Sequence, residues 1–215
     1  MKKIISILGA ALLAGSCSLA MAGENRMTAS FLPGVSIPMG GLYASNANAS
    51  GTRNDGLKPS FATAIAVDYQ VKDSLALGLE VGHDWKHPVK EMPSGQDGDD
   101  VSFWQVTPYA KYSFKPVGKF TPYGVFGLGL YSFHQTTRHS GDTVIYPART
   151  LNYLGFNLGG GATYALAKDW ELGLDLRWHH VFSGVQMDNL GDNSSSYISF
   201  NNLTPSVKVQ YAFSL

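Results

Sequence analysis

The chain has 215 residues, 24 of them glycine, and only 15% are charged, with 16 Lys and Arg against 16 Asp and Glu. That length fits one domain of ordinary size, and a formal net charge of zero removes the electrostatic case for a nucleic-acid partner. A mean hydropathy of −0.05 would pass for a soluble protein, but strands whose two faces differ in polarity average to the same value.

The first 22 residues have the order of a secretory signal. Lys2 and Lys3 form a positive start, Ile4 to Gly15 an apolar run, and Ala20-Met21-Ala22 a small-x-small cleavage site. The apolar run is too short for a spanning helix. The mature chain is therefore expected to begin at Gly23. A competing reading takes Ala14-Gly15-Ser16-Cys17 as a lipoprotein signal, although Ala14 stands where such signals prefer Leu. If the leader is lost, the chain keeps no cysteine, and neither disulfides nor thiolate chemistry apply.

From Met27 onward the dominant period is two, the signature of β-strands with distinct faces. Ala29, Phe31, Pro33, Val35, Ile37 and Met39 share one parity of the first strand. The second strand sets Phe61, Ile65, Val67 and Tyr69 against Ala62, Ala64, Ala66 and Asp68. In the third, Leu75, Leu77, Leu79, Val81, His83 and Trp85 oppose Ala76, Gly78, Glu80, Gly82, Asp84 and Lys86. The fourth sets Trp104, Val106, Pro108, Ala110, Tyr112 and Phe114 against Gln105, Thr107, Tyr109 and Lys111. In the fifth, near Phe120 to His134, Phe126, Leu128 and Leu130 oppose Tyr123, Gly127, Gly129 and Tyr131. Leu154, Phe156, Leu158, Ala162, Tyr164 and Leu166 define the sixth. The seventh is the clearest: Trp170, Leu172, Leu174, Leu176, Trp178, His180 and Phe182 alternate with Glu171, Gly173, Asp175, Arg177, His179 and Val181. The eighth, ending at Leu215, sets Val207, Val209, Tyr211 and Phe213 against Ser206, Lys208, Gln210 and Ala212.

Long polar loops follow the first, third, fifth and seventh strands, over 42–60, 87–100, 135–150 and 183–202; tight turns at Lys72-Asp73, Lys115 to Lys119 and Lys168-Asp169 follow the others. An up-and-down order then gathers every long loop at one rim and every turn at the other, the asymmetry of an outer-membrane barrel. Which face meets lipid is decided by content. The polar parity is rich in Gly, Ala and Ser, sizes that suit a narrow interior. The four Trp (Trp85, Trp104, Trp170 and Trp178) have apolar parity near strand ends, where an interfacial aromatic girdle requires them. The expected fold is thus an all-β, eight-stranded antiparallel up-and-down transmembrane barrel spanning residues 23–215, with the apolar face outward.

Thr107-Pro-Tyr109, Thr121-Pro-Tyr123 opening into Gly127-Leu-Gly129, and Asn157-Leu-Gly-Gly-Gly161 with Tyr164 carry a resemblance. Together with the terminal Val207-x-Val-x-Tyr-x-Phe213-x-Leu215, this pattern resembles the small eight-stranded outer-membrane β-barrel family, the OmpA-like transmembrane domain and its relatives. The resemblance implies a bacterial outer membrane, lipid and lipopolysaccharide as surroundings, and recognition of the last strand by the barrel-assembly machinery. It also implies a monomer that displays four loops outside, as a structural or surface-interaction protein. Leu215 stands where that signal usually has Phe, and the chain stops at the eighth strand, so no peptidoglycan-binding domain and no cell-wall tether are expected.

Charges on the interior parity, chiefly Glu80, Lys111, Asp175, Arg177 and Lys208, must be paired because an isolated buried ion is costly. They are expected to form an ion-pair network that fills the lumen, with Asp175 and Lys208 at comparable heights. The competing function is a narrow pore or OmpW-type conduit for small solutes, which would need an uncharged lining. No metal or other cofactor is expected. His179 and His180 point to opposite faces, and the acidic loop clusters 97–100 and 188–193 lack EF-hand spacing. His180-Val-Phe-Ser183 likewise puts a candidate base and nucleophile on opposite faces, so no enzyme is expected.

Overall fold

The computed structural model describes residues 26–39, 45–47, 53–90, 94–182, 185–188, 195–198 and 200–214. The leader with Cys17, as well as Ser183 and Leu215, lies outside the described residues. In chain order the strands are β1 (Arg26–Met39), β2 (Ser45–Ala47), β3 (Arg53–Asp55), β4 (Ser60–Lys72), β5 (Leu75–His87), β6 (Gln96–Gly98), β7 (Val101–Ser113) and β8 (Phe120–Gln135). Then come β9 (Arg138–Ser140), β10 (Thr143–Tyr146), β11 (Arg149–Ala165), β12 (Trp170–Val181), β13 (Val185–Asp188), β14 (Ser195–Ile198) and β15 (Asn201–Ser214). The eight long strands close a barrel in the order β1-β15-β12-β11-β8-β7-β5-β4. Every neighbouring pair is antiparallel, and the ring shuts where β1 pairs with β15, Thr28 opposite Ala212 and Gly34 opposite Ser206. Closure matters because an open edge in lipid would leave a row of unsatisfied N–H and C=O groups.

The parities read from the sequence hold along the barrel wall. Ile65, Leu128, Leu154, Leu158, Leu174 and Leu176 are exposed on the outer face, Leu174 at 69%. Alternating with them, Asp68, Glu80, Gln105, Thr107, Lys111, Asn157, Asp175, Arg177 and Lys208 are buried inside. A charged interior under a leucine-rich exterior inverts the arrangement of a soluble domain, and it is stable only with hydrocarbon as the outer solvent.

Two expectations need correction. Lys86 does not face the lumen. The β5–β7 register shifts between Asp84 and His87, an irregularity of the bulge type that advances the parity by one residue. Lys86 therefore points out to Asp100, 2.6 Å away, while His87 is fully buried. The long connections fall where expected, with β7 beginning at Val101, β11 at Arg149 and β15 at Asn201. Finally, the loop rim is itself partly sheet: β10, β9 and β6 form a three-stranded sheet, joining the segment after β5 to that after β8.

Register fixes the outcome of a paired substitution on β12. Leu174 lies opposite Ala162 and Val207, well inside the apolar band, so Leu174→Arg should destabilise by roughly 2–4 kcal/mol in urea unfolding from lipid vesicles. Gly173→Arg should fail for a different reason, because a Cβ there would lie 2.5 Å from the Ala162 carbonyl oxygen. Phe182→Arg, at the loop rim, should cost little.

Candidate functional site

The lumen holds two closures stacked along the barrel axis. The first is a cluster of charges about midway. Asp68 on β4 accepts hydrogen bonds from Thr28 (2.9 Å), from Tyr109 and from Lys111, with which it also forms an ion pair. Arg177 on β12 bridges two acids: its Nε lies 2.7 Å from Asp175 Oδ1 and its Nη1 3.3 Å from Glu80 Oε2. Gln105 donates to the other oxygen of Glu80 at 3.1 Å, and Tyr123 donates to Asp175 at 2.6 Å. Lys208 makes no ion pair among the described residues; its Nζ sits 4.6 Å from the centre of the Tyr123 ring. Six charges thus converge on one level, Asp68, Glu80 and Asp175 against Lys111, Arg177 and Lys208, and they sum to zero.

Two glycines make room for this cluster. A Cβ at Gly78 would lie 2.5 Å from Tyr109 Cζ and 2.6 Å from Asp68 Oδ1. A Cβ at Gly159 would come within 2.5 Å of Arg177 Cδ. Only a hydrogen at these positions lets the phenol and the arginine stem lie flat across the neighbouring strand.

The second closure is apolar and sits at the loop end. Phe103, Tyr131, Phe133 and Phe200 pack with Leu57, Val101 and Val181, all nearly inaccessible. The Phe200 ring lies 4.9 Å from Phe103 and 4.7 Å from Phe133, both edge-on, a favourable aromatic geometry. Between the two closures, Asn202 donates to Asp84 (2.9 Å) and Ser36 (2.6 Å), and His87 Nε2 lies 3.7 Å from Asp84. Tyr131 meets His179 Nδ1 at 3.1 Å. His179 is buried in the lumen, whereas His180 faces outward, with Nδ1 2.7 Å from Asn201.

The pairing expected from strand heights is not what forms. Lys208 is opposite Gly173, not Asp175, and the oxygens of Asp175 are taken by Arg177 and Tyr123. Lys111 finds Asp68, which the sequence already places on the interior parity, because β4 and β7 both flank β5. Sequence reasoning also missed the carboxylate-binding role of Tyr109 and Tyr123. The repeated Thr-Pro-Tyr of β7 and β8 was the available signal. Of the four Trp, Trp85, Trp104 and Trp170 are half-exposed on the outer face. Trp178 is more covered, edge-on against Phe156 at 5.4 Å. In the acidic loop cluster 97–100, Asp99 meets buried Arg138 (3.3 Å) and Asp100 meets Lys86; residues 189–193 of the second cluster lie outside the described residues.

A family model described as "Outer membrane protein beta-barrel domain" matches residues 8–213. The chain belongs to the outer membrane protein β-barrel domain family. Solved structures agree on the fold at low sequence identity. A major outer membrane protein from Thermus thermophilus is 16% identical, with 87% of this chain and 99% of that one covered and a TM-score of 0.55. Neisserial surface protein A gives 15% identity, 89% and 98% coverage and a TM-score of 0.54. OprG from Pseudomonas aeruginosa gives 14%, 89% and 97%, and 0.54. No curated protein matches by sequence. The family and its structural likeness place this barrel in a bacterial outer membrane.

The ion pairs make a quantitative expectation. Removing one member of Lys111–Asp68 leaves a buried charge without its ion partner, at a cost below the roughly 3–5 kcal/mol of a fully desolvated pair, because the vestibule reaches Lys111. In a double-mutant cycle, Lys111→Met with Asp68→Asn should show a coupling of about 1 kcal/mol or more. The same cycle on Asp175 and Lys208, which do not touch, should come out smaller.

Proposed function

We propose that this barrel is a non-enzymatic structural or surface-interaction protein whose lumen is closed and whose outward loops carry its contacts. The observation that supports this reading most is the double closure: a charge-neutral network at mid-height and an aromatic cap at the loop end. Either alone would resist ion passage, the first by occupying the lumen with engaged charges and the second by excluding water.

The loop rim suits a contact role. The sheet of β6, β9 and β10 is braced by Arg138, which reaches Asp99 and donates to Gln96 at 2.9 Å. Arg149 ties its own strand to Gln135 at 2.6 Å. A braced rim presents side chains in a fixed arrangement, which favours recognition by lowering the ordering cost. In this reading the leader is removed on export, the barrel-assembly machinery engages β15, and the mature barrel stands as a monomer among lipid and lipopolysaccharide.

A second reading, a narrow pore or OmpW-type conduit, draws on one observation. Several buried polar atoms between the closures have no hydrogen-bond partner, among them Thr107 Oγ1, Thr204 Oγ1 and both amide atoms of Asn157. They would line a wet path if the cap opened. Planar-bilayer conductance separates the readings. The closed-lumen reading expects wild type to stay at baseline, and Arg177→Ser alone to stay near it, because the cap remains. Arg177→Ser with Phe103→Ser should open steady conductance. A wild type that conducts steadily would favour the conduit.

A further inference from the structure

Among the described residues, the turn end of the barrel is not filled. A cavity of about 320 Å³ opens there, floored by Lys111, Tyr123 and Lys208 and walled by the ends of β1, β4, β12 and β15. Its charged lining is Arg26, Lys72, Lys111 and Lys208 against Asp73 and Glu171. The carboxylates of Asp68 and Glu171 are occupied. Asp68 holds Lys111, and Glu171 takes Gln210 at 3.3 Å and Arg26 at 4.0 Å. Lys208 is different. It is only 3% exposed, it lines the cavity, and no acceptor among the described residues reaches its ammonium. The Tyr123 ring at 4.6 Å offers a cation–π contact but no lone pair for any of the three N–H donors. A buried ammonium without acceptors is costly, and an oxyanion would supply them.

The same cavity offers further donors. The hydroxyls of Ser113, Thr121 and Thr163 line it and make no hydrogen bond with the described residues; Thr163 is itself buried at 5% exposure. Hydroxyl donors thus share the cavity with an ammonium that has no ion-pair partner among the described residues, and cations outnumber carboxylates in the lining by four to two.

We propose that the turn-end vestibule is a binding site for a small phosphate-type oxyanion, anchored by Lys208 on the floor and by the hydroxyls of Thr121 and Thr163 on the wall. A phosphate oxygen would complete the shell of Lys208, while the ring of Tyr123 shields the other side of the ammonium. The site is separate from the loop rim, and it does not depend on whether the lumen conducts. The vestibule is wide enough for a phosphate carried on a small organic group, so free phosphate and a lipid headgroup share the chemistry.

Isothermal titration on the protein in non-ionic detergent, at constant ionic strength, tests the site with inorganic phosphate in one arm and a short-chain phosphatidate in the other. Wild type should bind at one site in at least one arm, and the tighter arm identifies the source. Lys208→Met should bind about tenfold more weakly or worse, as expected for loss of a charge-assisted hydrogen bond. Lys119→Met, whose ammonium lies over the Tyr164 ring outside this cavity, should bind as wild type does. The heat-modifiable gel shift reports folding of each variant. Should Lys208→Met not fold, the Thr121→Val/Thr163→Val variant, which keeps every lumen charge, must weaken binding several-fold. Absence of saturable binding by wild type in both arms, or undiminished binding by the folded Lys208→Met or the double-valine variant, would overturn the proposal and leave a vestibule that holds water alone.

Discussion

A strand in hydrocarbon has no water to satisfy its amides, so each N–H and C=O must find a neighbouring strand, and the sheet must close. Closure of eight strands then leaves an interior only wide enough for side chains. Because side chains alternate, every residue that turns an apolar neighbour toward lipid sends the next one into that interior. Leu172, Leu174 and Leu176 on the outside thus commit Gly173, Asp175 and Arg177 to the inside. The charge network follows from the backbone constraint: the interior positions must be filled, and charges placed there must neutralise one another across strands that are distant in sequence.

The narrow bore explains how they do so. Arg177 reaches both Asp175, two residues away on its own strand, and Glu80 across the lumen on β5. That crossing is possible because Gly159 and Gly78 leave the neighbouring strands bare where the arginine stem and the Tyr109 ring lie. Higher up, the same bore is filled by aromatic rings, which need no partners for charge and exclude water by shape. Lower down, the filling stops short of the turn rim, leaving Lys208 at the floor of an open vestibule. The barrel is therefore graded along its axis, from a dry apolar cap through a neutral charge layer to a wet, cation-rich mouth.

Much of this was legible in the sequence, for a physical reason. A period of two is a local property, so the strands, their outward faces and the turns at Lys72-Asp73 and Lys168-Asp169 could be read from neighbours along the chain. Ion pairing is not local. Lys111 and Asp68 meet because β4 and β7 flank the same strand, and the offset of Lys208 from Asp175 depends on a register that no residue of β15 announces. A single shift in the ladder near Asp84 was enough to exchange the places of Lys86 and His87. Of the aromatic cap, Tyr131 and Val181 stood on the interior parity, but Leu57 and Phe200 lay in stretches read as loop, so the cluster they complete could not be seen.

The central claim is that β12 presents lipid on one side and a packed, dry interior on the other. Single spin labels placed in turn at positions 174–178, above the vestibule, with the protein in lipid vesicles, test it by the collision rates of oxygen and of a water-soluble nickel complex. The account predicts that oxygen access rises at 174 and 176 and falls at 175 and 177, with nickel access low at all four. High nickel access at 175 and 177 would mean a water-filled lumen, and oxygen access rising at those odd positions would mean that the barrel faces had been assigned the wrong way round.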